Sequence, residues 1–332
     1  MSLSKILNLS LSLRTGASCL TTRQIASYEG PSYESVRAIR GTNLSPAMLT
    51  YYREPLLIHS GKMQYLYDHQ GQEYLDMFGG IVTVSVGHCH PKVNEALVKQ
   101  VETLWHTTNI YLHPGVHEYA VKLVETLPDP LSVVYFVNSG SEANDLAMYL
   151  ARLHTGNYDL ISLRNAYHGM SPYTMGITAH STWKFPVVGG GGIHHTMNPD
   201  MYRGLWGGPG YRDCPVLPAG VTRASEEECR KVEDLYLDQL EELVRYSLPK
   251  GKSVAGFFAE SIQGVGGSVQ YPRGFIKRAF SRIRELGGVC ISDEVQTGFG
   301  RTGEHFWGFE VDVFLIIVVD DDTRDMMLFL IL

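Results

Sequence analysis

Val133-Val134-Tyr135-Phe136-Val137 runs directly into Asn138-Ser139-Gly140-Ser141-Glu142-Ala143-Asn144. The first five residues are β-branched or aromatic, the composition of a short buried strand. The next three offer a helix cap and a glycine, and helical apolar spacing continues from Glu142 to Leu153. Strand, tight turn and helix in immediate succession read as one unit of an α/β domain. The turn has two readings. In one it is a phosphate cradle, where glycine admits a close backbone approach, a hydroxyl can donate, and the free N–H groups of the helix terminus face an anion. In the other it is an ordinary capped helix, with Ser or Asn as N-cap and Glu142 in the first turn.

The same alternation extends outward from this unit. Asp159 to Leu163, Val254 to Ala259 and Gly288 to Ser292 read as strands, and Phe275 to Leu286 as a helix, which predicts a mostly parallel sheet with helices on both faces. Toward the amino end, Pro91 to Trp105 has helical spacing with proline in the first turn. Met63 to Asp68 and Glu73 to Asp76 read as small edge strands between Gly and Asp turns. Residues 180–225, rich in Gly and Pro, read as a long surface excursion. There is no internal repeat.

An open sheet of this kind leaves its crevice at the carboxyl ends of the strands. Glu260 and Asp293 stand there, each directly after a predicted strand. Such residues commonly solvate a loop, but a buried pair beside a phosphate cradle needs a partner, and a protonated pyridine nitrogen is one. Tyr167-His168-Gly169 follows another strand; the tyrosine is either packed in a turn or a face on which a flat heterocycle stacks.

Composition sets the frame. The chain has 332 residues, a formal charge of -7 and 19% charged residues, which argues against a polyanion-binding surface and favours small-molecule chemistry. Five scattered cysteines (Cys19, Cys89, Cys214, Cys229, Cys290) form no C-x-x-C pair and fit a reducing compartment. Residues 1–28 carry Lys5, Arg14 and Arg23 among serines and leucines, with no acid before Glu29. This reads as a mitochondrial transit segment delivering the chain to the matrix, or as a plain disordered tail. No run reaches the roughly 20 apolar residues of a membrane span.

Taken together, these motifs resemble class III aminotransferases of pyridoxal phosphate (PLP) fold type I. The match is carried by Gly80 to Pro91, Val137 to Asn144, Ala166 to Gly169, Gly256 to Glu260 with Ile262-Gln263-Gly264, and Gly288 to Arg301, and it runs from about residue 45 to about residue 312. The resemblance implies an α/β large domain with a mostly parallel sheet, incomplete here and without the carboxy-terminal small domain. The implied organisation is a segment with small-domain strands over 29–95, a PLP-binding large domain over 96–312 and a divergent tail over 313–332. It further implies pyridoxal 5'-phosphate as cofactor, held by Gly140, Ser141, Tyr167, His168, Glu260, Asp293, Val295 and Gln296. Of these, Gly140 and Ser141 bind the phosphate, Tyr167 stacks on the ring, Asp293 keeps the ring nitrogen protonated, Val295 packs beneath the ring and Gln296 sits near its phenolic oxygen. The implied reaction moves an amino group from alanine or a related amino acid to an oxo acid, glyoxylate or pyruvate. The implied assembly is a homodimer, with no nucleic-acid or membrane partner and no metal.

Two departures stand out. Ser261 occupies a position where the family usually has proline, from which a looser turn beside Glu260 is expected. More seriously, no lysine follows Lys277. In the family register the Schiff-base lysine falls near Asp322, within an apolar and acidic ending, Val313 to Leu332. The expectation is a truncated, inactive chain; the alternative is a non-catalytic isoform that binds or regulates a full-length enzyme.

Rival motifs are weaker. Gly298-Phe299-Gly300-Arg301-Thr302-Gly303 fits the dinucleotide pattern, but Glu304-His305-Phe306-Trp307 does not open a helix. His88-Cys89-His90 and His194-His195 lack a metal-ligand spacing.

Overall fold

The computed structural model describes residues 27–211, 216–249, 251 and 253–311. Residues 1–26 of the leader, the tail and the Asp322 position lie outside these. The chain divides into two compact units, residues 1–106 and 107–332.

In the first unit, helix α1 (Tyr33–Asn43) is capped by Ser32, whose side chain accepts the Ser35 N–H. Strands β1 (Ile58–Lys62), β2 (Tyr65–Asp68) and β3 (Glu73–Leu75) form an antiparallel sheet in that order. The turn between β2 and β3 is built on Asp68: one carboxylate oxygen accepts the N–H groups of Gln70 and Gln72, the other the Tyr74 hydroxyl. Helix α2 (Pro91–Thr103) opens on its proline and buries none of its residues.

In the second unit, helix α3 (Pro114–Val124) and helix α4 (Gly140–Thr155) precede strand β4 (Leu160–Leu163) and strand β5 (Ile193–Thr196). Helix α5 (Glu226–Tyr246), strand β6 (Gly256–Glu260), helix α6 (Phe275–Glu285) and strand β7 (Val289–Asp293) follow. The sheet runs β5-β4-β6-β7 with every pair parallel. Its two faces are covered as the alternating pattern requires. On one face, α5 and α6 press Tyr236, Leu240, Phe280 and Ile283 onto Ile161, Phe257 and Cys290. On the other, α4 presses Ala147, Met148 and Ala151 onto Leu160, Phe258 and Ile291. Each fully buried Phe or Leu here contributes about 1.5–3 kcal/mol over its exposed state, so the strand ends are fixed by a packed frame.

Two expectations need correction. Val133–Val137 makes no ladder bonds among the described residues, although its alternation survives. Val134 and Phe136 pack beside Leu123, Leu131, Trp307 and Phe309, while Val133 and Tyr135 are exposed. The side-chain period of a strand is present; what is missing is a described neighbour to pair with. The 180–225 stretch is not solely an excursion, because Ile193–Thr196 forms the edge strand β5. Its flanking glycines hide four residues whose ladder is supplied entirely by β4. Among the described residues no helix is long and apolar enough to cross a membrane.

Candidate functional site

The parallel register puts Glu260 and Asp293 side by side, since β6 and β7 pair Glu260 with Asp293 at their carboxyl ends. Both are buried, Glu260 to 4% exposure and Asp293 to 7%, and their surroundings treat them differently. One Asp293 oxygen takes His168 Nδ1 at 2.8 Å and Asn144 Nδ2 at 2.8 Å, and the other accepts the Val295 N–H at 3.1 Å. Burial opposes ionisation of Asp293, but the hydrogen bond and charge of His168, helped by Val295 and Asn144, prevail and hold it below the usual carboxylate range. His168 is driven the opposite way. Burial favours its neutral ring, and Asp293 overrides this to raise its pKa. His168 Nδ1 therefore donates to a carboxylate, with the negative charge kept at the strand end.

Glu260 has weaker support. Its oxygens accept the N–H groups of Tyr167 at 3.2 Å and Gly264 at 2.9 Å. Burial dominates and, with the charge of Asp293 adding to it, pushes Glu260 up to about 7 despite His168 and the two N–H groups.

The α4 terminus lies against these carboxylates. Ser139 is the N-cap and its side chain accepts the Glu142 N–H, so the capped-helix reading is correct as far as it goes. The N–H groups of Gly140 and Ser141 have no hydrogen-bond partner among the described residues, which leaves two donors at the positive end of a 16-residue helix. A Cβ on Gly140 would stand 2.9 Å from a methyl of Val295, so the helix start and the loop after β7 touch through a missing side chain. Gly169 has φ +117, and a Cβ there would fall 2.4 Å from Ser141 Oγ. That oxygen accepts the Met170 N–H at 3.1 Å.

Every sequence-predicted site residue belongs to this one cluster. Gly140 meets Val295, Ser141 meets the 169–170 turn, Tyr167 and His168 bond to the two carboxylates, and Gln296 lies against Gly264, where a Cβ would collide with its side-chain oxygen. Val295 is 46% exposed, an apolar floor open on one side. Tyr167 meets Trp183 edge-on at 5.9 Å between ring centres. His168 backs Asp293 from the protein interior, with its ring buried to 2% exposure.

The reading from sequence missed Asn144, whose side-chain nitrogen bridges Asp293 and the His168 carbonyl oxygen. The signal was available: Asn144 follows Gly140 by four residues and so shares its helix face. The expected looseness at Ser261 is also corrected, because its hydroxyl donates to the Glu294 carboxylate and anchors the turn. Gly298 to Gly303 is a turn that leads into a 3-10 segment, Gly308–Val311, so no helix N-terminus stands over it.

The family profile described as aminotransferase class-III matches residues 50–317. Alanine–glyoxylate aminotransferase 2, mitochondrial, of Homo sapiens is 53% identical over 283 residues, covering 85% of this chain and 54% of that protein. The mitochondrial homolog 2 of the same enzyme in Arabidopsis thaliana is 43% identical with the same coverage of both. The chain spans about half the length of the curated relatives it matches. Among solved structures, taurine:2-oxoglutarate aminotransferase from Bifidobacterium kashiwanohense, in complex with PLP and glutamate, superposes with a TM-score of 0.73 at 26% identity, over 87% of this chain and 61% of that one. A phospholyase from Arthrobacter in complex with phosphoethanolamine gives 0.72 at 30% identity, over 85% and 61%.

Proposed function

Because the chain belongs to the class-III aminotransferase family, whose cofactor is pyridoxal 5'-phosphate, we propose that the cluster at the ends of β4, β6 and β7 is the cofactor site of an enzyme that transfers amino groups from alanine or a related amino acid to glyoxylate or pyruvate. The residues fit the group. Two unpaired helix-terminal N–H groups suit a phosphate, a half-exposed valine suits the underside of a flat ring, and Asp293 Oδ1 retains a lone pair beyond the one that takes Val295 N–H. The observation that carries the reading is Asp293 itself: a buried carboxylate held below the usual range by hydrogen bonds from His168, Asn144 and the Val295 N–H is suited to a cationic ring nitrogen.

When bound, the cofactor supplies an electron-withdrawing ring that stabilises a carbanion at the amino-acid α-carbon. The chain's own residues do the rest. Gly140 and Ser141 would hold the phosphate, Tyr167 and Val295 would pack against the ring, and Gln296 would lie near its phenolic oxygen. Asp293, backed by His168 and Asn144, would keep a proton on the ring nitrogen. Glu260 shapes the substrate side, where its position near neutrality lets it change charge as ligands arrive.

What these residues lack is the amine that both tethers the cofactor and moves a proton at the substrate carbon, since no lysine follows Lys277. On this reading a polypeptide of these 332 residues holds the cofactor by non-covalent contacts and does not turn over alone. A second reading, a non-catalytic partner of a longer subunit within a family dimer, is favoured by α2, whose Val93, Leu97, Val98 and Val101 are each more than half exposed. A mitochondrial location accords with the names of the relatives and with the basic leader, and we propose the matrix as the compartment.

The experiment is a PLP titration followed by absorbance, then borohydride, then alanine and glyoxylate. Saturable binding with nothing fixed to the chain and no pyruvate formed is the expected result. Absence of saturable binding sinks the site assignment, and fixation at one lysine with pyruvate release sinks the claim of inactivity.

A further inference from the structure

Directly after Asp293 stands a third carboxylate, half-buried, that the cofactor site does not use. Glu294 gathers five donors. One oxygen accepts the hydroxyls of Ser261 and, at 2.9 Å, Ser292, together with the Phe309 N–H at 3.0 Å. The other accepts the Thr297 hydroxyl at 3.0 Å and the Gly308 N–H at 2.7 Å. These donors come from four places. Ser261 adjoins Glu260 at the end of β6, Ser292 adjoins Asp293 on β7, Thr297 adjoins Gln296 in the cofactor-floor loop, and Gly308 and Phe309 open the 3-10 segment.

A second observation reports the same convergence without reference to charge. Gly308 is wedged so that an added Cβ would lie 2.7 Å from the Thr297 Cβ and 2.9 Å from the Ser261 Cβ. A Cβ on Gly298 would lie 2.9 Å from the Trp307 ring. Two glycines thus let three backbones close around one side chain, and the fixed carboxylate then determines how far apart they stand.

We propose that Glu294 is a positioning residue: by holding Ser261, Ser292 and Thr297 on one carboxylate, it sets the spacing between Glu260 and Asp293 and the height of the Val295–Gln296 floor. The role rests on the reading of those residues as the cofactor site, which Glu294 itself does not touch. The protein carries two built-in reporters of the spacing, the Gly264 N–H on Glu260 and the Val295 N–H on Asp293.

Glu294→Gln is the diagnostic change. Hydroxyl groups can turn to suit a carboxamide, but the N–H groups of Gly308 and Phe309 face different oxygens, so either orientation of the amide sets its NH2 against a backbone N–H. Ser261→Ala is the gentler variant, removing one donor and leaving the carboxylate. The measurements are residue-resolved amide exchange of the cofactor-free chain and the affinity for pyridoxamine 5'-phosphate. In Glu294→Gln, exchange at Gly264 and Val295 is expected to rise about tenfold or more and affinity to fall by about tenfold, with changes of about threefold in Ser261→Ala.

Faster exchange confined to Gly308 and Phe309, with affinity intact, would reduce Glu294 to an anchor for the 3-10 segment and overturn the proposal. If Glu294→Gln loses its far-UV circular dichroism, unchanged Gly264 and Val295 amides in Ser261→Ala overturn it equally. If the unmodified chain does not bind pyridoxamine 5'-phosphate, the cofactor reading fails, while the two amides still decide the spacing role.

Discussion

Burial opposes ionisation of all three carboxylates at these two strand ends, and their neighbours offset it to different extents. Asp293 has His168, Asn144 and the Val295 N–H, Glu294 has five donors, and Glu260 has two backbone N–H groups. For Glu260 the consequence for stability runs against the usual direction for an acid. Its pKa is about 7 in the folded chain against an ordinary 4.5, so between those values the unfolded chain has released a proton that the folded chain still holds. Stability therefore falls as pH rises from 4.5 to about 7 and levels off above, by on the order of 3 kcal/mol if the whole shift is realised. Glu260→Gln removes that slope. In urea denaturation of the cofactor-free chain, the variant should gain on the parent steadily across this interval, and parallel stability curves would contradict the assignment. The identities of Asp293 and Glu260 were legible in the sequence because each follows an apolar strand run. Their different charge states were not, because these depend on Asn144 and His168, which lie 149 and 125 residues away from Asp293 along the chain.

At the level of elements, helix α4 does two jobs one turn apart. Gly140 and Ser141 present N–H groups at its start, and Asn144 braces Asp293 from the next turn. The helix start is held on one side by the 169–170 turn, where Gly169 adopts φ +117 against Ser141. Gly169→Ala adds both left-handed strain and a collision with the Ser141 Oγ and Cα atoms. The expected cost is about 2–4 kcal/mol in unfolding free energy, with weaker pyridoxamine 5'-phosphate binding because Ser141 is displaced; retained affinity at reduced stability would separate the turn from the cradle. The strand–turn–helix order was readable from residues 133–144 because cap, glycine and apolar period agree locally. What the sequence concealed was pairing. Val133–Val137 has strand chemistry but no described neighbour, whereas Ile193–Thr196 has little strand chemistry and gains its identity from β4. Pairing is a non-local property, and an isolated run does not encode it.

For the molecule as a whole, the apolar surface left outside the packed clusters bears on assembly. Leu97, at 62% exposure, lies on α2 among Val93, Val98 and Val101, none of them buried within the described residues. If the proposed dimer forms through this helix, the sedimentation coefficient will rise with concentration and Leu97→Glu will reduce it to the monomer value, without loss of helical circular dichroism. A variant that associates as strongly as the parent would remove α2 from the interface. The spread of the site along the chain has a further effect, on the order of events during synthesis. Asn144 and Asp293 are separated by 149 residues. At a typical rate of about 5–20 residues per second, the helix start is made about 7–30 seconds before the carboxylate that completes it. Through that interval α4 exists without its Asp293 partner, and until the last residues are made its apolar face lacks β7 to cover it. A ribosome paused anywhere short of Asp293 thus holds a nascent chain with an open flank, to which chaperones have access before any cofactor does.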